Sequence, residues 1–177
     1  MKKVLILAVA AAIVMLMPSF ASAQTANGVL TVTATVQGSI GLVFNSDAAG
    51  VALSSGAGTN AATLAFGNVS AFGAVAAGVV RTTTATTFTV SSAVDVNVTK
   101  TNSASANYTL KAQLGAADAV NTWSVGGVAV TNGSAAQITA TGTYASNVNF
   151  PVAITIPFTT ASGTLISNTI NYTATAN

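Results

Sequence analysis

Apolar and polar residues alternate along most of the chain after residue 27, which is the pattern of β-strands with one buried face. The first such run covers residues 28–44 and predicts one strand, or two strands broken at Gln37-Gly38. Its apolar positions share one face: Leu30, Val32, Ala34, Val36, Ile40, Leu42 and Phe44. The alternation predicts that this face is buried against apolar side chains.

The same alternation predicts further strands in the rest of the chain. Residues 94–99 and 109–114 are predicted to form a hairpin that brings Asp95 opposite Lys111 on its outer face. The other predicted elements are a strand at 82–90, a hairpin at 122–130 turning at Gly126-Gly127, an inward-facing strand at 148–156 and a last strand at 166–176. Short strands joined by Gly, Ser and Asn turns predict one antiparallel β-sandwich of immunoglobulin-like type.

The first 23 residues have the three parts of a secretory signal peptide. Lys2-Lys3 precede an apolar stretch, residues 4–17, and Ala21-Ser22-Ala23 supplies the small residues of a cleavage site. The apolar stretch is shorter than the roughly 20 residues that a membrane-spanning helix needs. We therefore expect cleavage before Gln24, no membrane anchor afterwards, an N-terminal extension at 24–37 and a sandwich domain at 38–177.

Removal of the signal peptide would leave a chain with almost no charge. Of five basic residues, Lys2 and Lys3 lie in the leader, so the remaining three balance the three acidic residues. Nucleic-acid partners require clustered Lys and Arg, which this chain lacks. Ordinary soluble domains contain about 25% charged residues and depend on net charge to stay dispersed. So few charges favour a protein whose surface becomes covered in an assembly.

The residue types needed for most catalytic and metal sites are missing. The sequence contains no Cys and no His, and its acidic residues are Asp47, Asp95 and Asp118. Thiolate and imidazole chemistry and the usual zinc sites are excluded, so we expect no enzyme and no cofactor. Asp47 lies in a weakly patterned segment, residues 45–62, which is predicted to be a surface loop rather than a calcium site, because one carboxylate is too few. Trp123 is predicted to be a core or edge anchor.

Three segments resemble subunits of bacterial fimbriae. Residues 30–42 (LTVTATVQGSIGL) resemble the start of the cysteine-free alpha-class subunits of colonisation-factor type, which are assembled by the chaperone-usher route. Residues 64–70 (LAFGNVS) are similar to a segment of archaic pilins and spore-coat-U-type proteins, and residues 170–176 (INYTATA) resemble their terminal strand. The chain lacks the cysteine pair of the archaic group and has Gln37-Gly38 where an Asp-Pro hinge is common in the alpha class.

This resemblance implies an immunoglobulin-like subunit that lacks one strand. Its groove would be filled first by a periplasmic chaperone and, after transfer through an outer-membrane usher, by the N-terminal extension of an identical or related pilin subunit. Leu30, Val32, Ala34 and Val36 would be the donor-strand residues. Because the donor and the acceptor are different surfaces, such a contact grows a filament, which would carry the protein from the periplasm to the cell surface.

Two other functions remain open at this point. The chain could be a secreted β-sandwich binding module, an adhesin for glycan or protein, or a self-packing coat or matrix protein. A binding module should keep residues 28–36 as an edge strand of its own sheet and gather aromatic residues at one loop end. The aromatic residues are scattered along the predicted strands, which favours the structural role.

Overall fold

A computed structural model describes residues 27–177 of the chain. The predicted signal peptide, residues 1–23, lies outside the described residues. Residues 36–177 form a compact unit, and residues 27–38 have no regular secondary structure. Eleven strands follow: β1 (Ser39–Ser46), β2 (Val80–Thr83), β3 (Thr87–Ser92), β4 (Val94–Thr101), β5 (Tyr108–Leu114), β6 (Thr122–Val125), β7 (Val128–Val130), β8 (Ala136–Gly142), β9 (Asn147–Asn149), β10 (Val152–Pro157) and β11 (Ile170–Ala176). The fold is all-β, as predicted.

The strands form three antiparallel sheets. The strand orders are β1-β4-β9, β2-β3-β10-β6-β7 and β11-β5-β8. No helix long and apolar enough to cross a membrane is present among residues 27–177. All three sheets consist of antiparallel ladders, and the alternation of apolar and polar residues turns one face of each sheet to the core.

Two stretches of chain, β3–β4 and β9–β10, each pass from one sheet to another and stay paired with each other as they do so. β3 pairs with β10, with Ser92 opposite Val152, and β4 pairs with β9, with Asp95 opposite Asn149. The Phe150 amide donates to the Val94 carbonyl over 2.9 Å between these two ladders. The two ladders are thus one bent pairing in a single register. The predicted strand at 148–156 has its inward face as expected, but it divides at Phe150-Pro151 into β9 and β10.

The core lies where the inner faces of these strands meet. Its residues are mostly β-branched or leucine side chains: Val79, Phe88, Val90, Val94, Val96, Val98, Tyr108, Leu110, Ala112, Leu114, Trp123, Val125, Val130, Phe150, Val152, Ile154 and Ile156 are buried. Trp123, predicted to be a core or edge anchor, is a core residue. Burial of such side chains contributes about 1.5–3 kcal/mol each, which stabilises the fold without disulfides.

The hairpin at 122–130 is confirmed. Gly126 and Gly127 both have positive φ, 57° and 79°, between β6 and β7. A two-residue turn of this kind needs positive φ at both positions, and glycine adopts it without a steric penalty. This turn was predictable because its backbone requirement is local.

The predicted hairpin of residues 94–99 with 109–114 is wrong. β4 pairs with β1 and β9, whereas β5 pairs with β11 and β8. Asp95 therefore lies opposite Asn45 and Asn149, and Lys111 lies opposite Thr173 and Gln137. Alternation identifies the face that a strand buries but carries no information about its neighbour, so the segment between β4 and β5 connects two different sheets.

The predicted strand at 82–90 is two strands. β2 and β3 pair as a hairpin, with Thr83 opposite Phe88, and the intervening residues form the turn. The Thr84 hydroxyl accepts a hydrogen bond from the Thr87 amide over 3.0 Å. Threonine side chains compete with the ladder for backbone groups in this way, so a threonine-rich run can turn without Gly or Pro.

Candidate assembly site

The four predicted donor residues lie in a stretch without regular secondary structure. Leu30, Val32 and Val36 are 86%, 80% and 74% exposed, and Ala34 is also exposed. Their alternation with threonine matches the pattern of a strand with one apolar face, although residues 27–38 form no strand here. This segment therefore presents apolar side chains and backbone groups that no ladder among residues 27–177 uses.

β11 has one free edge. In the described part of the chain, β5 is its one strand neighbour. The Thr169 carbonyl accepts from the Gly115 amide over 2.7 Å, and the Asn177 amide donates to the Asn107 carbonyl over 3.1 Å. The backbone N–H and C=O groups of the odd-numbered residues of β11 therefore point to β5. Backbone groups of an antiparallel strand alternate in direction. The N–H and C=O groups of residues 170, 172, 174 and 176 therefore point away from the sheet.

β1 has a free edge that is shorter. It pairs with β4 on one side. On its other side the Phe44 amide donates to the Thr59 carbonyl over 2.9 Å, and the Phe44 carbonyl accepts from the Gly58 amide over 2.7 Å. By the same alternation, the backbone groups of Ile40 and Leu42 point to this edge. Residues 58–59 close the edge at Phe44, and no other backbone group of residues 27–177 pairs with it before that point.

The inward side chains of these two strands are incompletely covered. Ile170, Tyr172 and Ala174 on β11 and Leu42 and Phe44 on β1 are half-buried and pack against the core. β3 and β10 differ, because every second residue along them is buried. The core is thus closed at its centre and open along β1 and β11, which we call the open margin.

One aromatic contact joins the two strands of the open margin. The ring centroids of Phe44 and Tyr172 lie 5.1 Å apart at an interplanar angle of 69°, an edge-to-face arrangement that aromatic pairs favour. The strands come within 8 Å at their Cα atoms. Burial raises the pKa of Tyr172, so its phenol is neutral at any physiological pH. The margin is therefore an apolar, uncharged surface.

The margin offers hydrogen bonds and apolar burial rather than chemistry. Among residues 27–177, no three His, Cys, Asp or Glu side chains lie close enough to hold a metal ion. Asp47 lies in the segment that was predicted to be a surface loop rather than a calcium site. Its carboxylate accepts from the Ala49 amide over 2.7 Å and from Asn149 Nδ2 over 3.0 Å. Its carboxylate thereby fixes the start of its own loop to β9. An arrangement of free backbone groups beside apolar side chains is suited to accepting a strand.

Sequence reasoning missed how much of the covering of the core is supplied by residues 51–71. This segment has no long strand, yet Val51, Leu53, Leu64 and Phe66 pack against the core. The Ser54 amide donates to the Thr63 carbonyl and the Thr63 amide to the Ser55 carbonyl, both over 2.9 Å, so the segment folds back on itself. The alternation of Ala62, Leu64 and Phe66 was the signal that could have identified it.

No family model, curated protein or solved structure matches this chain in the comparisons.

Proposed function

We propose that the chain is a structural subunit of a surface fimbria, an incomplete immunoglobulin-like β-sandwich completed by the donor strand of a neighbouring subunit. One observation carries the proposal. The same chain has an open margin with two free backbone edges and an exposed apolar segment, residues 28–36, of the alternating pattern that such a margin accepts. A candidate donor segment and candidate acceptor edges thus occur in one chain, and no ladder within residues 27–177 pairs with either of them.

The energetics favour insertion of a strand. Burying Leu30, Val32, Ala34 and Val36 would contribute about 5–8 kcal/mol, at about 1.5–3 kcal/mol for each larger side chain. Main-chain hydrogen bonds to β11 would add to this and fix the strand in place. Donor and acceptor are different surfaces, so the contact repeats without closing and produces a filament.

The same surfaces explain why helper proteins would be needed. A free strand edge beside exposed apolar side chains is a site of aggregation in an isolated subunit. A periplasmic chaperone that occupies the margin would prevent this, and an outer-membrane usher would exchange it for the next subunit. The protein would then pass through the periplasm to the fimbria at the cell surface, in a structural rather than catalytic role.

A second function, adhesion by an aromatic surface, is favoured by a different observation. Phe72 is 72% exposed and lies 5.9 Å from Phe158 between ring centroids. Its loop is held by Arg81, whose Nη1 and Nη2 donate to the carbonyls of Ser70 and Gly73 over 2.9 and 2.7 Å. An exposed aromatic side chain on a fixed loop is a feature of recognition surfaces.

Substitution of the donor segment tests the structural proposal. In Val32→Asp the charge would enter the apolar margin of the neighbour, so we expect loss of filaments with normal amounts of subunit. The measurement is filament yield by electron microscopy, together with subunit level by blotting, in a strain carrying the cognate assembly machinery. Thr33→Asp, which places the same charge on the opposite face, is the matched control and should still assemble.

Two results would contradict the proposal. Normal filaments from Val32→Asp would show that this segment is not a donor strand. Degradation of the Val32→Asp subunit would show that residues 28–36 stabilise their own domain, as expected for a self-complete binding module. Loss of host-surface binding in Phe72→Ala, with filaments intact, would support the adhesive function independently.

A further inference from the structure

The lengths and side-chain sizes of the donor segment and β11 define one way of pairing them. We infer that residues 30–36 of one copy pair antiparallel with β11 of the next copy, in the register that places Ala34 opposite Tyr172. This register rests on the proposed function. β11 has seven residues, of which 170, 172, 174 and 176 have outward backbone groups. The donor stretch 30–36 has the same length and four apolar positions at the same spacing.

Side-chain size separates the antiparallel from the parallel arrangement. Well-packed facing positions alternate large with small side chains. The antiparallel register follows this rule at three of its four pairs, which are Leu30–Ala176, Val32–Ala174, Ala34–Tyr172 and Val36–Ile170. The full-length parallel register follows this rule at one pair, Val36–Ala176. It places large beside large at Leu30–Ile170 and Val32–Tyr172, and small beside small at Ala34–Ala174. Size complementarity therefore favours the antiparallel strand.

The aromatic contact in the margin restricts the residue opposite Tyr172. The Tyr172 ring already packs edge-to-face on Phe44 at 5.1 Å, so space beside it is occupied. A methyl group fits beside this pair more easily than a valine side chain, which would have to displace a ring. Slipping the antiparallel strand by two residues in either direction brings Val32 or Val36 to this position. The register with Ala34 is the one that leaves the aromatic pair intact.

Backbone direction gives the expected distance between paired residues. Because the even-numbered residues of β11 face the free edge, they would form the hydrogen-bonded pairs of the new ladder, with Cα atoms about 5.5 Å apart. This separation lies within the range that a disulfide spans. The chain has no cysteine of its own, so introduced cysteines report one contact each.

Three cysteine pairs with a common acceptor test the register. Ala174→Cys is combined with Leu30→Cys, Val32→Cys or Ala34→Cys, and filaments assembled by the cognate machinery are run on gels without reductant. We expect a covalent ladder of multimers from the pair at 32 and 174, lost on reduction, and none from the pairs at 30 or 34 with 174. The single-cysteine variants serve as controls for contacts outside the register.

The other outcomes overturn the register. A ladder from residues 34 and 174 indicates a parallel or slipped strand, and one from residues 30 and 174 indicates a slip in the other direction. A cross-linked monomer indicates that the segment fills the margin of its own copy. Filaments without a ladder from any pair contradict the register and leave the proposed function standing. Failure of the cysteine-free protein to form filaments contradicts the proposed function itself.

Discussion

The centre of the core and the open margin are built from the same alternating sequence pattern, yet their side chains are buried to different extents. Leu114 on β5 and Ile170 on β11 are direct neighbours across one ladder. Leu114 is 5% exposed, whereas Ile170 is half-buried. Within residues 27–177, β5 has a strand on both sides and β11 has a strand on one side, so the difference lies in the neighbours and not in the residues.

This comparison shows what completes a β-core. An inward side chain is covered most completely when strands flank it on both sides and another sheet lies across from it. β10 meets the first condition, with β3 and β6 as neighbours. β11 does not, and its apolar face contributes less to the stability of the isolated subunit than the same residues would inside a sheet. We therefore expect substitutions to unfold the subunit at the centre and to impair assembly at the margin.

The largest effect is expected at the centre, from Ile154→Asp. Ile154 is 6% exposed and lies between Val90 and Trp123 in its ladders. An unpaired charge there costs several kcal/mol, which is comparable to the roughly 5–15 kcal/mol net stability of a domain. We expect no folded protein to accumulate, as measured by blotting of periplasmic fractions.

Thr155→Asp is the matched control on the other face of the same strand. The Thr155 hydroxyl lies 2.6 Å from that of Thr89, so the substitution loses one side-chain hydrogen bond, worth about 1 kcal/mol. The protein should accumulate at a reduced level. Equal damage from both substitutions would mean that the two faces of β10 are not different in burial.

A smaller loss of stability is expected from alanine substitutions that compare the closed centre with the open margin. Leu114→Ala should lower the free energy of unfolding by about 2–5 kcal/mol, because it leaves a cavity in closed packing. Ile170→Ala should cost less than half as much in the isolated subunit, since Ile170 is already partly exposed, but it should reduce filament yield. Urea unfolding of purified subunit and filament yield by microscopy give the two measurements.

The reverse order would overturn the comparison. If Ile170→Ala destabilised the isolated subunit more than Leu114→Ala did, the margin would be an integral part of the closed core. If neither substitution changed filament yield, β11 would not be the acceptor. Thr173→Ala, on the outer face of β11, should change neither measurement appreciably.

The sequence predicted which face of each strand is buried, but it did not predict which strands pair with each other. The inward positions of β10 and β11 and the Gly126-Gly127 turn follow from local patterns, so they were predictable. The pairing of β4 with β1 and β9 was not, because all these strands carry equivalent apolar faces and no charged or aromatic pair distinguishes one neighbour from another. Register between distant strands is settled by the packing of the whole core.

The candidate site divides in the same way. The donor role of residues 28–36 was predicted from their alternation and stays a prediction. The other half of the site, the free edges of β1 and β11, depends on which strands lack a neighbour, and this is a property of topology. The cap at Thr59 and Gly58 lies in a segment without a clear pattern, so sequence reasoning assigned it to a surface loop.

In the described structure, a carboxylate is hydrogen-bonded to a side chain of the closed centre, and the open margin has no such group. Asp118 Oδ2 accepts from Trp123 Nε1 over 2.8 Å and from Asn121 Nδ2 over 3.0 Å, and Oδ1 accepts from the amides of Val120 and Asn121. Partial burial alone would raise the pKa of Asp118, but these hydrogen bonds outweigh it and lower the pKa to about 2. The buried indole of Trp123 is thus held by a charged group.

The smallest predicted effect is therefore a pH dependence at the centre. The pKa of Asp118 is lower in the folded chain than the 3.8 of an unperturbed aspartate, so its contribution to stability is present above about pH 4 and is lost as the pH falls towards 2. Asp118→Asn should remove this dependence and cost about 1 kcal/mol at pH 7, since the site is partly exposed and solvent screens it. Thermal unfolding followed by Trp fluorescence between pH 2 and 7 measures both effects, with Asp95→Asn as the control. If the stability of Asp118→Asn fell between pH 4 and 2 as steeply as that of the wild-type protein, this carboxylate would not be the group that holds Trp123.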